Sequence, residues 1–425
     1  MRNKLAIIIA LSLGIFTYKA AVAQNAQSAY SIYGIGDVNW GGYSHNTSMG
    51  GMGITYNSRY FLNNINPALG GSNLEAVFQI GSALDIRNHT DGNQSYMRTT
   101  GGLKDLGFNA PIVLGRWNMG VSLQPYTNVG YGFTVSEAGP EGSTAVTEVT
   151  GGGGIDQVSL NNSVRLGNLF LGLRFEYIFG SIQEEDRFFL EGLQQTAFGS
   201  SVVSGNATFS QVTGSAGFVY KQPVGEFKFI NIGGYYHPEY ELRQKTFITL
   251  ENQTSGGGVF STDTLVNNVE TQLTIPQRVG FGISFEQSQR LAIGIDFHAQ
   301  DWSKYRRNDG TPNENLGASY RLAVGGEYLP DYQSNKFLQR ITYRFGAHYE
   351  QTPYLINNTT VDDLGISFGV STPLSAFWGL SHVTIGGTLG QRGSISDGLV
   401  RERYIKVYLG FSLQDVTWFS RTRFN

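Results

Sequence analysis

Leu169, Leu171, Leu173, Phe175, Tyr177 and Phe179 are all apolar, and the residues interleaved with them include Gly172, Arg174, Glu176 and Gly180. Successive side chains of a strand point to opposite faces, so this stretch has one apolar and one polar face. The same split recurs at Leu291, Ile293, Ile295 and Phe297 against Gly294, Asp296 and His298. It recurs at Ile341, Tyr343, Phe345 and Tyr349 against Thr342, Arg344, His348 and Glu350, and again at Ile405, Val407, Leu409, Phe411 and Leu413 against Tyr404, Lys406, Tyr408, Gly410 and Ser412.

A soluble sandwich alternates too, but its strands usually run about five or six residues. These runs reach nine to eleven or more, the span of a tilted transmembrane strand. Their polar face carries Gly, Ser, Thr and charges of both signs, as a barrel lumen does. Trp117, Tyr126, Tyr131, Trp302, Tyr305, Tyr349, Tyr354 and Trp418 fall near run ends, where interfacial girdles would sit. About fourteen such strands can be traced between residues 75 and 414 by this pattern. Short turns such as Gly167-Asn168 and Ser288-Gln289 alternate with long polar stretches at 133–154, 187–205, 244–268 and 304–315, which read as loops. The expected fold is all-β: a transmembrane antiparallel β-barrel of about fourteen strands, with both termini on the periplasmic side.

Composition agrees. Charged residues make up 15% of the 425, and 56 glycines and 55 aromatics (27 Phe, 23 Tyr, 5 Trp) stand beside them, which suits strands that pack or face lipid. The chain has no cysteine, which excludes a disulfide scaffold and any Cys-ligated metal site. Arg2 and Lys4, the apolar run Leu5 to Phe16, and Ala21-Val22-Ala23 read as a secretory signal peptide over 1–23. Without it the chain carries 27 basic and 33 acidic residues, a net −6, which gives no electrostatic case for nucleic acid. The expected location is the outer membrane.

Residues 24–72 break the strand pattern and are rich in Gly, Ser, Asn and Tyr, with Gly50, Gly51 and Gly53 close together. They are too weakly charged for a solvated tail, so the expectation is a plug, or hatch, inside the lumen of a barrel formed by 73–425. Gly172, Gly282, Gly294, Gly346 and Gly386 on the lumen face would leave it room. The Gly51/Gly53 spacing lacks the βαβ context of a nucleotide site.

The six histidines form no metal-ligand spacing, and no nucleophile-elbow, kinase or P-loop signature occurs. Neither enzyme activity nor a cofactor is expected. Arg174, Glu176, Asp296, His298, Arg321, Glu327, Arg344, His348 and Glu350 share the polar face and are expected to form a lumen network that fixes the plug.

Three stretches carry a family resemblance. Ser48 to Ile54 runs on into Asn66-Pro67-Ala68. Leu273-Thr274-Ile275-Pro276 leads to Asp296 and Trp302-Ser303-Lys304-Tyr305. Ser319 to Tyr328 precedes Tyr343 to Tyr349 and Thr352-Pro353. In this order they resemble the FadL-type outer-membrane transporters of hydrophobic compounds, in the form common in Bacteroidetes. The resemblance implies a fourteen-strand barrel whose hatch ends at Asn66, Pro67 and Ala68. It also implies uptake of a hydrophobic small molecule, such as a long-chain fatty acid, and sideways release into membrane lipid near a kinked strand. That kink would lie near Pro111 to Pro125. No carboxylate-binding Arg/Lys pair carries over. The alternative is a barrel that moves no solute and serves as partner or plug subunit of a larger outer-membrane assembly, for example the Bacteroidetes protein-secretion channel.

Overall fold

The computed structural model describes residues 28–92, 94–192, 198–307, 309–374, 381–396 and 398–415. The expected signal peptide and Trp418 lie outside them. A short strand, β1 (Asp37–Val38), belongs to the N-terminal segment. The wall is made of β2 (Ala76–Thr90), β3 (Ser95–Val113), β4 (Trp117–Ala138), β5 (Thr144–Leu166), β6 (Leu169–Glu191), β7 (Phe198–Gly225), β8 (Lys228–His237), β9 (Tyr240–Thr254), β10 (Val259–Ile275), β11 (Arg278–Gln287), β12 (Leu291–Asp301), β13 (Ala318–Tyr328), β14 (Thr342–Ile356), β15 (Thr359–Pro373), β16 (His382–Arg392) and β17 (Arg401–Asp415). Neighbours pair antiparallel, and β17 pairs back onto β2 from Arg401↔Thr90 to Asp415↔Ala76, which closes the ring.

Two staves are interrupted. Pro238 separates β8 from β9, and Pro276 separates β10 from β11. The pairs Arg278↔His237 and Ile275↔Tyr240 place both breaks side by side. Proline has no N–H to give the ladder, and the staves break at these two, whereas Pro125, Pro223 and Pro353 are carried inside β4, β7 and β14 at register shifts. With each interrupted pair taken as one stave, the barrel is closed and fourteen-stranded.

The alternation is turned inside out relative to a soluble protein. Leu171, Leu173, Phe175 and Tyr177 are exposed, whereas Arg174 and Glu176 between them are buried. Ile293, Ile295 and Phe297 are exposed while Asp296 and His298 are buried, and Ile405, Val407, Leu409, Phe411 and Leu413 repeat the pattern in β17. Apolar side chains face outward because the surroundings of that face are hydrocarbon, and polar ones face a lumen that can satisfy them.

The traced strands match in number but not in length. The stretches 133–154, 187–205 and 244–268, read as loops, are largely strand: β4 and β5 are joined by only Gly139–Ser143, and β5, β6 and β7 have 23, 23 and 28 residues. A tilted span needs only about 9–11. The surplus stands beyond the membrane as a six-stranded wall from β4 to β10, on the side away from the short turns. Outside lipid no apolar row is required, so the alternation that marks the spans fades there. The stretch 102–110 continues β3, and Pro111 stands opposite Asn118 just before the turn into β4, so it marks a strand end.

Replacing Leu173 with Arg puts a charge on the lipid face and is expected to destabilise the inserted barrel by about 2–4 kcal/mol. Refolding titrations in bilayers check this; unchanged stability of the Leu173→Arg barrel would contradict the assigned faces.

Candidate functional site in the plugged lumen

Residues 28–73 run inside the barrel and are almost wholly buried. Asp37 and Arg59 are the segment's only carboxylate and only Lys or Arg. Its polar groups are therefore mostly backbone and Asn or Ser side chains, and a wall studded with matching partners must receive them.

Asp296 of β12 does this most directly. Its Oδ2 accepts from the backbone N–H of Gly53 (2.6 Å) and of Ile54 (2.7 Å). Gly50 donates its N–H to Ser367 Oγ (2.7 Å), and its carbonyl accepts from Arg321 Nη2 (3.1 Å). Gly50 and Gly51 have φ of 73° and 95°, a region costly for a residue with a Cβ. Asn66 caps a 3-10 turn, Pro67–Ser72, by accepting from the Ala68 N–H. Its Nδ2 donates to the carbonyls of Ile54 (2.8 Å), Phe218 (3.2 Å) and Gly234 (3.2 Å), tying the turn to β7 and β8.

Close approach depends on glycine in the wall. A Cβ at Gly346 or Gly325 would overlap the Met49 backbone, one at Gly172 the Pro67–Ala68 peptide, and one at Gly386 the Ser48 hydroxyl. Gly282 and Gly294 likewise face Ile54 and Met52. His45 is buried against Phe61, ring centroids 4.7 Å apart. Burial, and then Arg344 and Lys104, hold its imidazole well below the usual histidine range.

All nine expected network residues face inward, yet they form separate clusters. Glu176 lies 3.6 Å from Arg174 and accepts from His237 Nε2 (2.8 Å). Arg321 binds Glu350 (2.7 Å), and Arg344 binds Glu327 (2.9 Å), which also accepts from Tyr56 OH. His298 shares a hydrogen bond with Tyr235 OH (2.8 Å), and His348 lies 3.3 Å from Asp363.

Sequence reading missed the densest cluster. Arg392 donates to Asp363 and to Asp37 of the segment, both at 2.8 Å, and Tyr404 OH donates to Asp363 (2.7 Å). Nearby, Glu402 accepts from Arg87 (2.7 Å), the Ala29 N–H (2.7 Å) and Ser28 Oγ (3.0 Å). Arg392 and Arg87 end apolar alternation on their strands, and that is the only sign the sequence offers. Among the described residues no group of three His, Asp or Glu side chains could hold a metal ion.

The wall has a seam. The β3–β4 ladder runs from Val113↔Trp117 only as far as Leu106↔Leu123, although both strands continue outward. Two residues past Leu123, at Pro125, β4 shifts register against β5. Above it the β4 edge is taken by the N-terminal segment: Asp37 pairs with Asn128, Val38 with Thr127, and Asn39 donates its N–H to Tyr126 O (2.9 Å). A polar cavity of about 230 Å³ lies behind the seam, with Thr100 to Lys104 and Pro125 on its wall side and Asp85, Arg321, Asp363 and Arg392 within. The outer lumen above is filled by a buried apolar cluster that includes Tyr30, Ile35, Tyr131, Ile182, Trp302, Tyr305 and Tyr354.

These features define an outer-membrane-type β-barrel with an occupied lumen and an interrupted wall. The chain belongs to the BamG family, whose model matches residues 1–425. Among solved structures it is similar to the monoaromatic hydrocarbon channel CymD, with 15% identity, 89% of this chain and 98% of that one covered, and a TM-score of 0.54. It is similar to the Ralstonia pickettii toluene transporter TbuX at 14% identity, with 88% and 98% covered and a TM-score of 0.55. A Pseudomonas aeruginosa FadL homologue gives 14%, 87%, 97% and 0.55. At such identity the likeness is one of fold. No curated protein matches the chain.

Asn66→Ala and Asp296→Asn are each expected to cost about 1–3 kcal/mol of segment docking by leaving buried partners unsatisfied. Limited proteolysis of the folded barrel should then cut within 46–66. Unchanged resistance in both variants would contradict the anchoring assigned to them.

Proposed function

We propose that the protein is an outer-membrane conduit for the uptake of hydrophobic small molecules, long-chain fatty acids or similar, and that it releases them sideways into membrane lipid. Residues 24–72 act as the hatch and 73–425 as the barrel. Gly50, Gly51 and Gly53 supply its tight turns, and Asn66, Pro67 and Ala68 supply its anchored end. The observation that carries this reading is the seam beside Pro125, closed on the β4 edge by Asp37 to Asn39 and by Ser31 Oγ, which accepts from the Gly130 N–H (3.1 Å). A hydrophobic solute gains nothing by entering an aqueous periplasm, and a lateral exit keeps its apolar surface out of water. Breaking three or so edge hydrogen bonds costs far less than opening a continuous ladder. The similar fold of the toluene transporter TbuX and the monoaromatic hydrocarbon channel CymD supports the same reading.

A second reading is favoured by the apolar cluster that fills the outer lumen and by the charged lining of the cavity behind the seam. It holds that the barrel moves no solute and is a subunit of a larger outer-membrane assembly, such as the Bacteroidetes protein-secretion channel.

The absence of native cysteine allows a clean test. Val38→Cys with Thr127→Cys, Cα partners across β1 and β4, should form a disulfide that locks the segment onto the edge. Oxidation is expected to reduce uptake of a labelled long-chain fatty acid about tenfold or more, and reduction to restore it. Full uptake by the oxidised protein would contradict release through this seam. No uptake in either state, together with a stoichiometric partner recovered from native membranes, would favour the second reading.

A further inference from the structure

The wall beyond the membrane has two unlike faces. Strand register places Tyr131, Phe133, Val135 and Glu137 of β4 on one side, opposite Gly151, Val149, Thr147 and Ala145 of β5. β6 continues that side with Glu184, Asp186, Phe188 and Leu190, β7 with Val203 and Ser201, and β9 with Leu250. Tyr131 at the base of this face belongs to the buried cluster of the outer lumen, and Val149 packs on that cluster, so the face extends the lumen lining. Higher up no described residue covers it. Phe133, Val135, Phe188 and Leu190 are 45%, 43%, 44% and 45% exposed, although neither lipid nor a core adjoins them there. On the same face stand Glu137, Glu184, Asp186 and Asp263, and no Lys or Arg among its described residues. Arg187 and Lys245 are on the opposite face, with Glu148 and Glu251.

We propose that this face docks a cationic, amphipathic polypeptide segment of a protein partner. Apolar side chains and carboxylates of one sign share this face in adjoining groups, which is the complement of a segment carrying both apolar and basic residues. Six strands at about 4.8 Å and five or so residues at about 3.3 Å give a face of roughly 24 by 17 Å, about 400 Å². That is half of a typical per-partner protein interface and far larger and flatter than a small-molecule pocket. The inference goes beyond the conduit reading and holds whether or not solute crosses the barrel.

The test uses the full-length barrel in phosphatidylcholine nanodiscs. The probes are a short peptide of alternating lysine and leucine and its glutamate–leucine counterpart, each fluorescently labelled. The lysine–leucine peptide is expected to bind at least about tenfold more tightly. Phe133→Ser with Phe188→Ser should weaken it about tenfold, and so should Glu137→Gln with Asp186→Asn. Glu148→Gln with Glu251→Gln on the opposite face should leave it unchanged. Heat modifiability shows that each variant is folded. Equal affinity for the two peptides, or an equal loss on the opposite face, would overturn the proposal. So would dye occupancy: if only the apolar dye N-phenyl-1-naphthylamine binds, and Phe133→Ser with Phe188→Ser abolishes it, the face is a solute site. A dimer lost in that same variant would assign the face to a second copy.

Discussion

A chain in hydrocarbon must satisfy every backbone polar group internally, and nearly every feature of this structure follows from how that demand is met. β17 returns to β2 along fifteen paired residues, so the wall needs no edge at closure. Beyond the side-by-side breaks at Pro238 and Pro276, the described ladder opens above Leu106↔Leu123, where β3 and β4 part company. There the N-terminal segment lends Asp37 to Asn39 to the β4 edge. The segment therefore fills the lumen and also completes part of the wall, and this dual role makes it the moving part of the proposed conduit.

The interior has a second constraint. A lumen lined with charges is tolerable only if each finds a partner, because desolvation of an unpaired charge costs several kcal/mol. The wall meets this with local pairs such as Arg344–Glu327 and Arg321–Glu350, and with Arg392 held between two carboxylates. The segment brings Asp37 as its only carboxylate, and Asp37 meets Arg392 next to the seam. Its other attachments include backbone bonds to Asp296, Ser367 and Arg321, made where wall glycines let it come close, and side-chain bonds such as Asn66 to β7 and β8. Charge pairing thus ties the segment at two points, Asp37–Arg392 beside the seam and Arg59–Glu75 (2.7 Å), and neutral hydrogen bonds and close packing hold the remainder.

Much of the fold was legible because lipid imposes a period of two on residues such as Leu171, Leu173 and Phe175, and no soluble sheet sustains it so long. The glycines at 172, 282, 294, 346 and 386 were legible as lumen space for the same reason. The projecting wall was not, since Gly151 to Gly154 and the Ser/Thr runs of β7 face no lipid and carry no apolar row. The polar partners were legible as a face but not as pairs: which carboxylate meets which arginine depends on register, as Arg321↔Glu350 and Glu327↔Arg344 show. The pairing of Asp37 with Arg392, 355 positions apart, left no local trace.

The central claim is that the N-terminal segment is docked in the lumen by wall carboxylate and hydroxyl groups while its Asp37 to Asn39 part closes the seam reversibly. Hydrogen exchange on the folded barrel tests it most directly. The account predicts that the amides of Gly50, Gly53 and Ile54 exchange as slowly as those of the barrel strands, and that the amide of Asn39 exchanges measurably faster. Rapid exchange throughout 46–56, or uniform protection through Asn39, would contradict it.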